Sequence, residues 1–165
     1  MKKTILIITA AVLFSAHLGA ETILLCIGDD APELERKDWP VMVSRAFEDG
    51  AMDVFFENGH IVTNAVFADD ENRSGPGLEK AGDLAFENGA DAVLMIKLYF
   101  PQSSADNLPA PERVGYALFD YTGREMLPYG EYQLSQQEGT GIDELLDGFT
   151  MAAANIAEQA ASRLQ

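Results

Sequence analysis

The chain has 165 residues, of which 27 are acidic and 11 are Lys or Arg, and its formal net charge at pH 7 is −16. This charge argues against a nucleic-acid-binding protein and against one that binds anionic lipid surfaces, because both surfaces repel it. The length suits one domain that is large enough to bury its own core.

The first twenty residues have the parts of a secretory signal peptide. Lys2 and Lys3 form a positive n-region, residues 5–14 form an apolar h-region, and a stretch with small residues ends at Ala20. The apolar run is shorter than the roughly 20 residues of a membrane span. We therefore expect export with cleavage after Ala20; the alternative is an uncleaved N-terminal anchor. Removing residues 1–20 removes two lysines and no acid, so the formal charge of the domain at 21–165 becomes −18.

The only cysteine is Cys26, which follows Ile23-Leu24-Leu25. A lipoprotein would have a small residue before an acylated cysteine, so this context favours a soluble exported protein. A single cysteine cannot form an internal disulfide. We interpret Cys26 as a small buried hydrophobic residue within a strand.

Two strands and a helix are predicted in the first half of the domain. The apolar run at 22–27 reads as a buried strand, and a charged connector at 31–38 follows it. Asp38 is placed to cap a helix whose first turn holds Trp39 and Pro40. Apolar residues then recur at helical spacing from Val43 to Phe55, and a strand follows Gly59.

One phrase occurs three times, as FEDG at 47–50 and as FENG at 56–59 and 86–89. The helical stripe passes through Gly50, so we expect the first copy to lie inside a helix. In the other two copies the periodicity changes after the glycine, so Gly59 and Gly89 are predicted to end helices in the left-handed conformation. The phrase is therefore interpreted as structural punctuation and not as an active-site signature.

The rest of the chain predicts a strand, a hairpin and a final helix. Residues 92–100 are apolar at nearly every position, which is typical of a strand covered on both faces. A loop at 101–111 precedes a hairpin at 112–134 with its turn at 120–123, where Asp120 can bond the turn backbone. Pro128 and Gly130 indicate that the returning strand is an edge strand or is bulged. The fold class is therefore α/β, a single domain with the order β-α-β-α-β, hairpin and C-terminal helix, in a mixed sheet packed by helices.

The C-terminal helix has a wide apolar stripe from Ile142 to Leu164, and Thr140 is its predicted cap. The stripe is interpreted as core. The opposite side, with Met151, Ala154 and Ala161, is not strongly charged. It is a candidate surface for binding a partner.

No constellation typical of catalysis is present. His60 is the only histidine of the predicted mature chain and is interpreted as structural; the SGPG stretch lacks the Lys and Ser/Thr of a phosphate-binding loop. Lys97 lies within the apolar third strand. It is either a side chain that reaches the sheet's edge or a buried cation paired with an acid, and only the second makes it a candidate site. We predict no catalytic residue, no cofactor and no dedicated metal site.

Acidic residues mark one possible ligand site. Asp29, Asp30 and Asn64 are predicted near the carboxyl ends of parallel strands, where α/β proteins bind ligands. Their oxygens could bridge a calcium ion, although the spacing of a dedicated calcium loop is absent. A second acidic cluster follows at 69–71. Solvated loop carboxylates are the simpler interpretation of both.

Two stretches carry a resemblance to a group of bacterial envelope domains. ENGADAVLMIKL (87–98) is similar to the group's Gly-Ala-Asp-plus-strand segment, and LFDYTGREML (118–127) is similar to its strand–Asp-x-x-Gly–strand hairpin. The group includes the N-terminal domain of TolB, the penicillin-binding-protein activator LpoB and the curli-secretion lipoprotein CsgG. The resemblance covers most of the mature chain in topology. It implies a docking or assembly module without catalytic residues, although this chain lacks the acylated cysteine of the lipoprotein members.

Our leading hypothesis is a non-enzymatic exported protein, periplasmic or secreted, that docks with another envelope protein or with itself. The alternative is a periplasmic protein that binds a small ligand or calcium through Asp29, Asp30 and Asn64, with Lys97 as a further candidate ligand-binding residue. An enzyme ranks third.

Overall fold

A computed structural model describes residues 20–31, 38–66, 80–101, 108–134 and 141–164. These residues form five strands and three helices. The strands are β1 (Thr22–Asp29), β2 (Ile61–Val66), β3 (Ala92–Tyr99), β4 (Arg113–Asp120) and β5 (Glu125–Tyr132); the helices are α1 (Trp39–Glu57), α2 (Ala81–Asn88) and α3 (Ile142–Ala161).

The strands make one mixed sheet in the order β2-β1-β3-β4-β5. β1 is parallel to both β2 and β3, whereas β3–β4 and β4–β5 are antiparallel. The predicted α/β fold class, with its element order, mixed sheet and C-terminal helix, is confirmed. The central strand β3 is buried along its whole length, as its continuous apolar sequence predicted.

The larger core lies between one face of the sheet and the helices α1 and α3. Trp39 and Phe47 of α1 both pack on Phe149 of α3, with ring centroids 6.3 and 6.2 Å apart. The sheet contributes alternate residues of each strand, as expected from the two-residue repeat of side chains; in β3 these are Ala92, Leu94, Ile96 and Leu98.

Gly50 allows α1 and α3 to approach closely. A Cβ atom at this position would lie 2.1 Å from the backbone oxygen of Thr150 in α3. The first FEDG copy therefore lies inside a helix and packs against another, as predicted.

The two FENG copies end helices. Gly59 and Gly89 have φ values of +83° and +64°. The N–H of His60 donates to the carbonyl of Phe55 and that of Ala90 to the carbonyl of Ala85, which satisfies terminal carbonyl groups of each helix. A strand begins within three residues of each glycine, so the predicted punctuation is confirmed.

The second face of the sheet carries a smaller core under α2. This helix turns its small residues Ala81 and Ala85 toward the sheet, where they pack in one cluster with Met95 and Phe119. Cys26 belongs to the same cluster and is buried, as predicted.

Two predicted helix caps differ from the structure. Asp38 occupies the N-cap of α1 but makes no capping hydrogen bond with its side chain. The N-cap of α3 is Gly141 and not Thr140, because the helix begins one residue later than the capping motif suggested. Thr140 and the acidic run at 69–71 lie outside the described residues.

Candidate functional site

The carboxylates of Asp29 and Asp30 bind the protein's own backbone. Asp29 Oδ1 accepts a hydrogen bond of 3.2 Å from the N–H of Ala31. Asp30 Oδ1 accepts one of 2.9 Å from the N–H of Phe100, while the Asp30 N–H donates to the carbonyl of Leu98. The Asp30 bonds tie the end of β1 to the end of β3, while the Asp29 bond closes a local turn after β1. Both are structural uses of a carboxylate.

Asn64 does not join them. It lies within β2 opposite Leu25, four positions before Asp29 along β1. At about 3.3 Å per residue, this is a displacement of about 13 Å along the strand. The predicted ligand site of Asp29, Asp30 and Asn64 is therefore corrected, because strand register places Asn64 in the middle of its strand.

Lys97 is buried, with 2% of its surface exposed, so the expectation that it reaches the sheet's edge was wrong. In the sheet it lies between Gly28 of β1 and Gly115 of β4. Because glycine has no side chain, Gly28 and Gly115 leave room for the long Lys97 side chain between them. The Lys97 ammonium lies 5.6 Å from the centroid of the Tyr99 ring, on the face of the sheet that also carries α2.

A network of aromatic and charged side chains continues from Lys97 across β4 and β5. The Arg113 guanidinium lies 4.0 Å from the centroid of the Tyr99 ring, within cation–π range, and its Nη1 donates to Glu131 Oε1 at 2.7 Å. The Tyr129 hydroxyl donates to the same carboxylate oxygen at 3.3 Å. Glu131 therefore accepts from two residues of this network.

Two groups of the network have raised pKa values. Desolvation, together with its hydrogen bond to Tyr99 and the nearby Glu131, raises the pKa of Tyr129 well above its ordinary value, so this hydroxyl stays protonated. Desolvation lowers the pKa of Arg113, but the charge and hydrogen bond of Glu131 outweigh it and the net shift is upward. Neither group changes its protonation near neutral pH.

Sequence reasoning missed this network. Its partners come from three strands whose pairing is visible only in three dimensions. One signal was present: Gly115 interrupts an otherwise continuous β4 pattern, and a Cβ there would lie 2.5 Å from the Tyr129 hydroxyl oxygen. Because Gly115 has no side chain, the Tyr129 ring can occupy the space beside it.

The proposed partner surface on α3 is not a continuous exposed surface. Met151 is 68% exposed, but Ala161 is only 3% exposed and belongs to the core. Ala154 is partly buried and packs against the same core. The predicted grouping of these three residues is corrected, because the wide stripe of small residues lets α3 pack over more of its circumference than the apolar spacing indicated.

His60 and Glu21 lie near each other at the amino end of the strands. The His60 ring packs edge-on against Phe55, with centroids 6.1 Å apart. Burial raises the pKa of Glu21; the charge of His60 opposes this and Asp91 adds to it. Within the described ranges, no three His, Cys, Asp or Glu side chains are grouped so that they could hold a metal ion.

The two edges of the sheet differ. β5 is interrupted: Pro128 and Gly130 lie within it, and its pairing with β4 shifts register on both sides of Leu118. Such features discourage further strand pairing. β2 is regular, pairs continuously with β1 and contains neither a charged residue nor proline. Its outer side pairs with no other strand of the described residues.

Side chains along β2 are accessible. Ile61 is 54% exposed, and Thr63 and Asn64 are also exposed. Phe56, at the end of α1 and five residues before Ile61, is 52% exposed. The outer edge of β2 therefore has accessible side chains and pairs with no other strand of the described residues.

No helix in the described part of the chain combines the length and hydrophobicity needed to cross a membrane.

No protein-family model matches the chain, and no curated protein matches its sequence. The comparison with solved structures found similarities at low identity, with TM-scores below 0.5. A variant PelC dodecamer from Paraburkholderia phytofirmans is 14% identical, with a TM-score of 0.49 and coverage of 84% of this chain and 88% of that one. Lipoprotein GNA1162 from Neisseria meningitidis is 19% identical, with a TM-score of 0.48 and coverage of 86% and 99%.

Competence damage-inducible protein A from Klebsiella pneumoniae is 11% identical, with a TM-score of 0.47 and coverage of 93% and 92%. These values assign no function. None of the three is TolB, LpoB or CsgG, so that resemblance stays a prediction.

Proposed function

We propose that this chain is an exported, periplasmic protein that docks with another envelope protein and catalyses no reaction itself. The observation that carries the proposal is the outer edge of β2, which pairs with no other strand in the described part of the chain. A regular, uncharged edge strand presents unpaired backbone groups to solvent, and proteins usually block such edges unless they use them. Among the described strands, the other edge strand, β5, is interrupted by Pro128 and by register shifts, whereas β2 is regular.

The polar residues singled out as candidates support a non-enzymatic role. Asp29 and Asp30 hold the backbone at the ends of two strands. Arg113 and Tyr129 both donate to Glu131 and keep their protons at neutral pH. These hydrogen bonds engage the four groups within the sheet, which supports a structural role for them.

Export is tested by fractionation and N-terminal sequencing. The full chain, expressed in its native host, should appear in the periplasmic fraction with Glu21 as its first residue. A product that retains residues 1–20 and sediments with membranes would replace cleavage with the anchored alternative. A chain found only in the cytoplasm would overturn the exported role.

Docking is tested by site-specific photo-crosslinking in the same cells. A photoreactive phenylalanine analogue at position 64 should give one discrete adduct with another protein. The same analogue at position 121, in the exposed turn between β4 and β5, serves as the control and should not give that adduct. Equal labelling at both positions, or no adduct at position 64, would contradict docking at β2.

A further inference from the structure

The backbone of β2 shows which of its groups face outward. The N–H of Ile61 donates to the carbonyl of Glu21, at the start of β1, over 2.9 Å. Both backbone polar groups of one strand residue point to the same side, and the side alternates along the strand. The backbone N–H and C=O groups of Thr63 therefore also point at β1. Those of Val62, Asn64 and Val66 point to the outer edge.

These outward groups determine the shape of the occupant. They repeat every second residue, about 6.6 Å apart, which is the spacing of an extended strand. An added strand can satisfy several of them in register, whereas a helix has already used its own backbone groups. Asn64 lies at the centre of the row, and it contributes to this edge through its backbone N–H and C=O groups.

Charge distinguishes between the kinds of strand that could pair with the outer edge of β2. The chain carries a formal charge of −16, and Glu57 and Glu21 lie at the amino end of β2, in the last turn of α1 and just before β1. A second copy would bring the same acidic charge to this edge. Of its described edge strands only β2 is uninterrupted, so a second copy would pair through its own β2. A segment that carries Lys or Arg is attracted to this acidic edge, whereas a second copy of the acidic chain is repelled by it.

We infer that the outer edge of β2 binds an extended segment of a partner protein as a sixth strand, and that this segment is basic, with Lys or Arg alternating with apolar residues. This inference rests on the proposed docking function and names the chemistry of the partner. Apolar residues of the segment face Ile61, and its cations face the acidic surroundings of the strand.

The test uses two synthetic peptides and backbone amide hydrogen exchange. One peptide alternates lysine and valine; the other has the same charge, with prolines replacing valines so that it cannot pair. The lysine–valine peptide should protect the amides of Val62, Asn64 and Val66, and added salt should weaken its binding. Equal binding of both peptides would show charge attraction alone and would overturn the inference. So would equal binding of a glutamate–valine peptide.

Two variants at position 64 keep the test independent of folding, and a third at position 63 is their control. Asn64→Pro removes an outward N–H that the β1–β2 ladder does not use, and should weaken binding of the lysine–valine peptide at least about tenfold. Thr63→Pro removes an inward N–H and should instead lower the protein's stability. Asn64→Lys keeps the backbone and adds a like charge at an exposed position, so it should also weaken binding. Unchanged affinity in both Asn64 variants would overturn the inference.

The result also separates this inference from the proposed function. If position 64 crosslinks to a partner but the lysine–valine peptide does not bind, docking stands and the basic partner is wrong. If sedimentation shows a dimer that Asn64→Pro dissociates, the occupant is a second copy and the inference is overturned. If position 64 gives no adduct, the docking function fails first.

Discussion

Asp120 is the residue whose side chain organises the hairpin between β4 and β5. Its Oδ1 accepts hydrogen bonds from the N–H groups of Thr122 and Arg124, at 2.9 and 3.0 Å. Its Oδ2 accepts from Nε of Arg124 at 3.0 Å. The bond from the Thr122 side chain is the main cause that lowers the pKa of Asp120, and desolvation opposes it. The sequence prediction that Asp120 bonds the turn backbone is confirmed.

Asp120→Ala should lower the free energy of unfolding by about 1–3 kcal/mol at neutral pH, because hydrogen bonds to a carboxylate are lost. The folded-state pKa of Asp120 lies below its unfolded value, so this stabilisation is present above the unfolded pKa and is lost as pH falls through the folded one. The difference in the free energy of unfolding between wild type and Asp120→Ala should therefore become smaller below about pH 4. Urea unfolding at several pH values measures it.

Asp53→Ala is the matched control, because Asp53 is an exposed carboxylate in the middle of α1. Its removal should leave the stability unchanged or slightly higher, since Ala is the better helix former. A gap between wild type and Asp120→Ala that stayed constant down to pH 2 would mean that the carboxylate charge contributes nothing to the turn.

The contact between α1 and α3 depends on a glycine for space, not for conformation. Gly50 lies inside α1, and a Cβ there would collide with the backbone of Thr150. Gly89 is the opposite case: a Cβ would meet no atom within 4 Å, but its φ of +64° is unfavourable for other residues. The two positions separate steric crowding from backbone strain.

Gly50→Ala should destabilise the protein by about 1–3 kcal/mol or more, because overpacking outweighs the gain of about 1 kcal/mol in helix propensity. Gly89→Ala should cost about 1 kcal/mol through backbone conformation alone. Only Gly50→Ala should alter the fluorescence of Trp39, since Trp39 and Phe149 bring the same two helices together. If Gly50→Ala were as stable as wild type, the close approach of α1 and α3 would be disproved.

For the molecule as a whole, the formal charge of −16 works against the folded state, because folding brings like charges together. Raising the ionic strength from about 0.01 M to about 0.1 M shortens the Debye length from about 30 to about 10 Å. The melting temperature should then rise by about 2–4 °C, equivalent to roughly 1 kcal/mol. Sodium and potassium chloride should act alike. A melting temperature that fell with either salt would show that attractive ion pairs dominate.

The sequence by itself determined the element order and most helix and strand ends of this protein. Apolar periodicity distinguished helices from strands, and the Asn-Gly pairs at 58–59 and 88–89 placed two helix ends where the structure has them. The turn at Asp120 and the buried Cys26 were predicted as well. These features are local, because each is set by the conformational preference of a few neighbouring residues or by whether a short run is apolar.

Only the tertiary structure decided the register of the strands and what they bring together. Register moved Asn64 away from Asp29 and Asp30, placed Lys97 between two glycines and assembled Tyr99, Arg113, Tyr129 and Glu131 from three strands. Helix packing placed Ala161 in the core and left Met151 exposed. The physical reason is that pairing and packing are non-local: a strand's sequence specifies its faces, but its partners determine which position lies beside which, and which edge stays open.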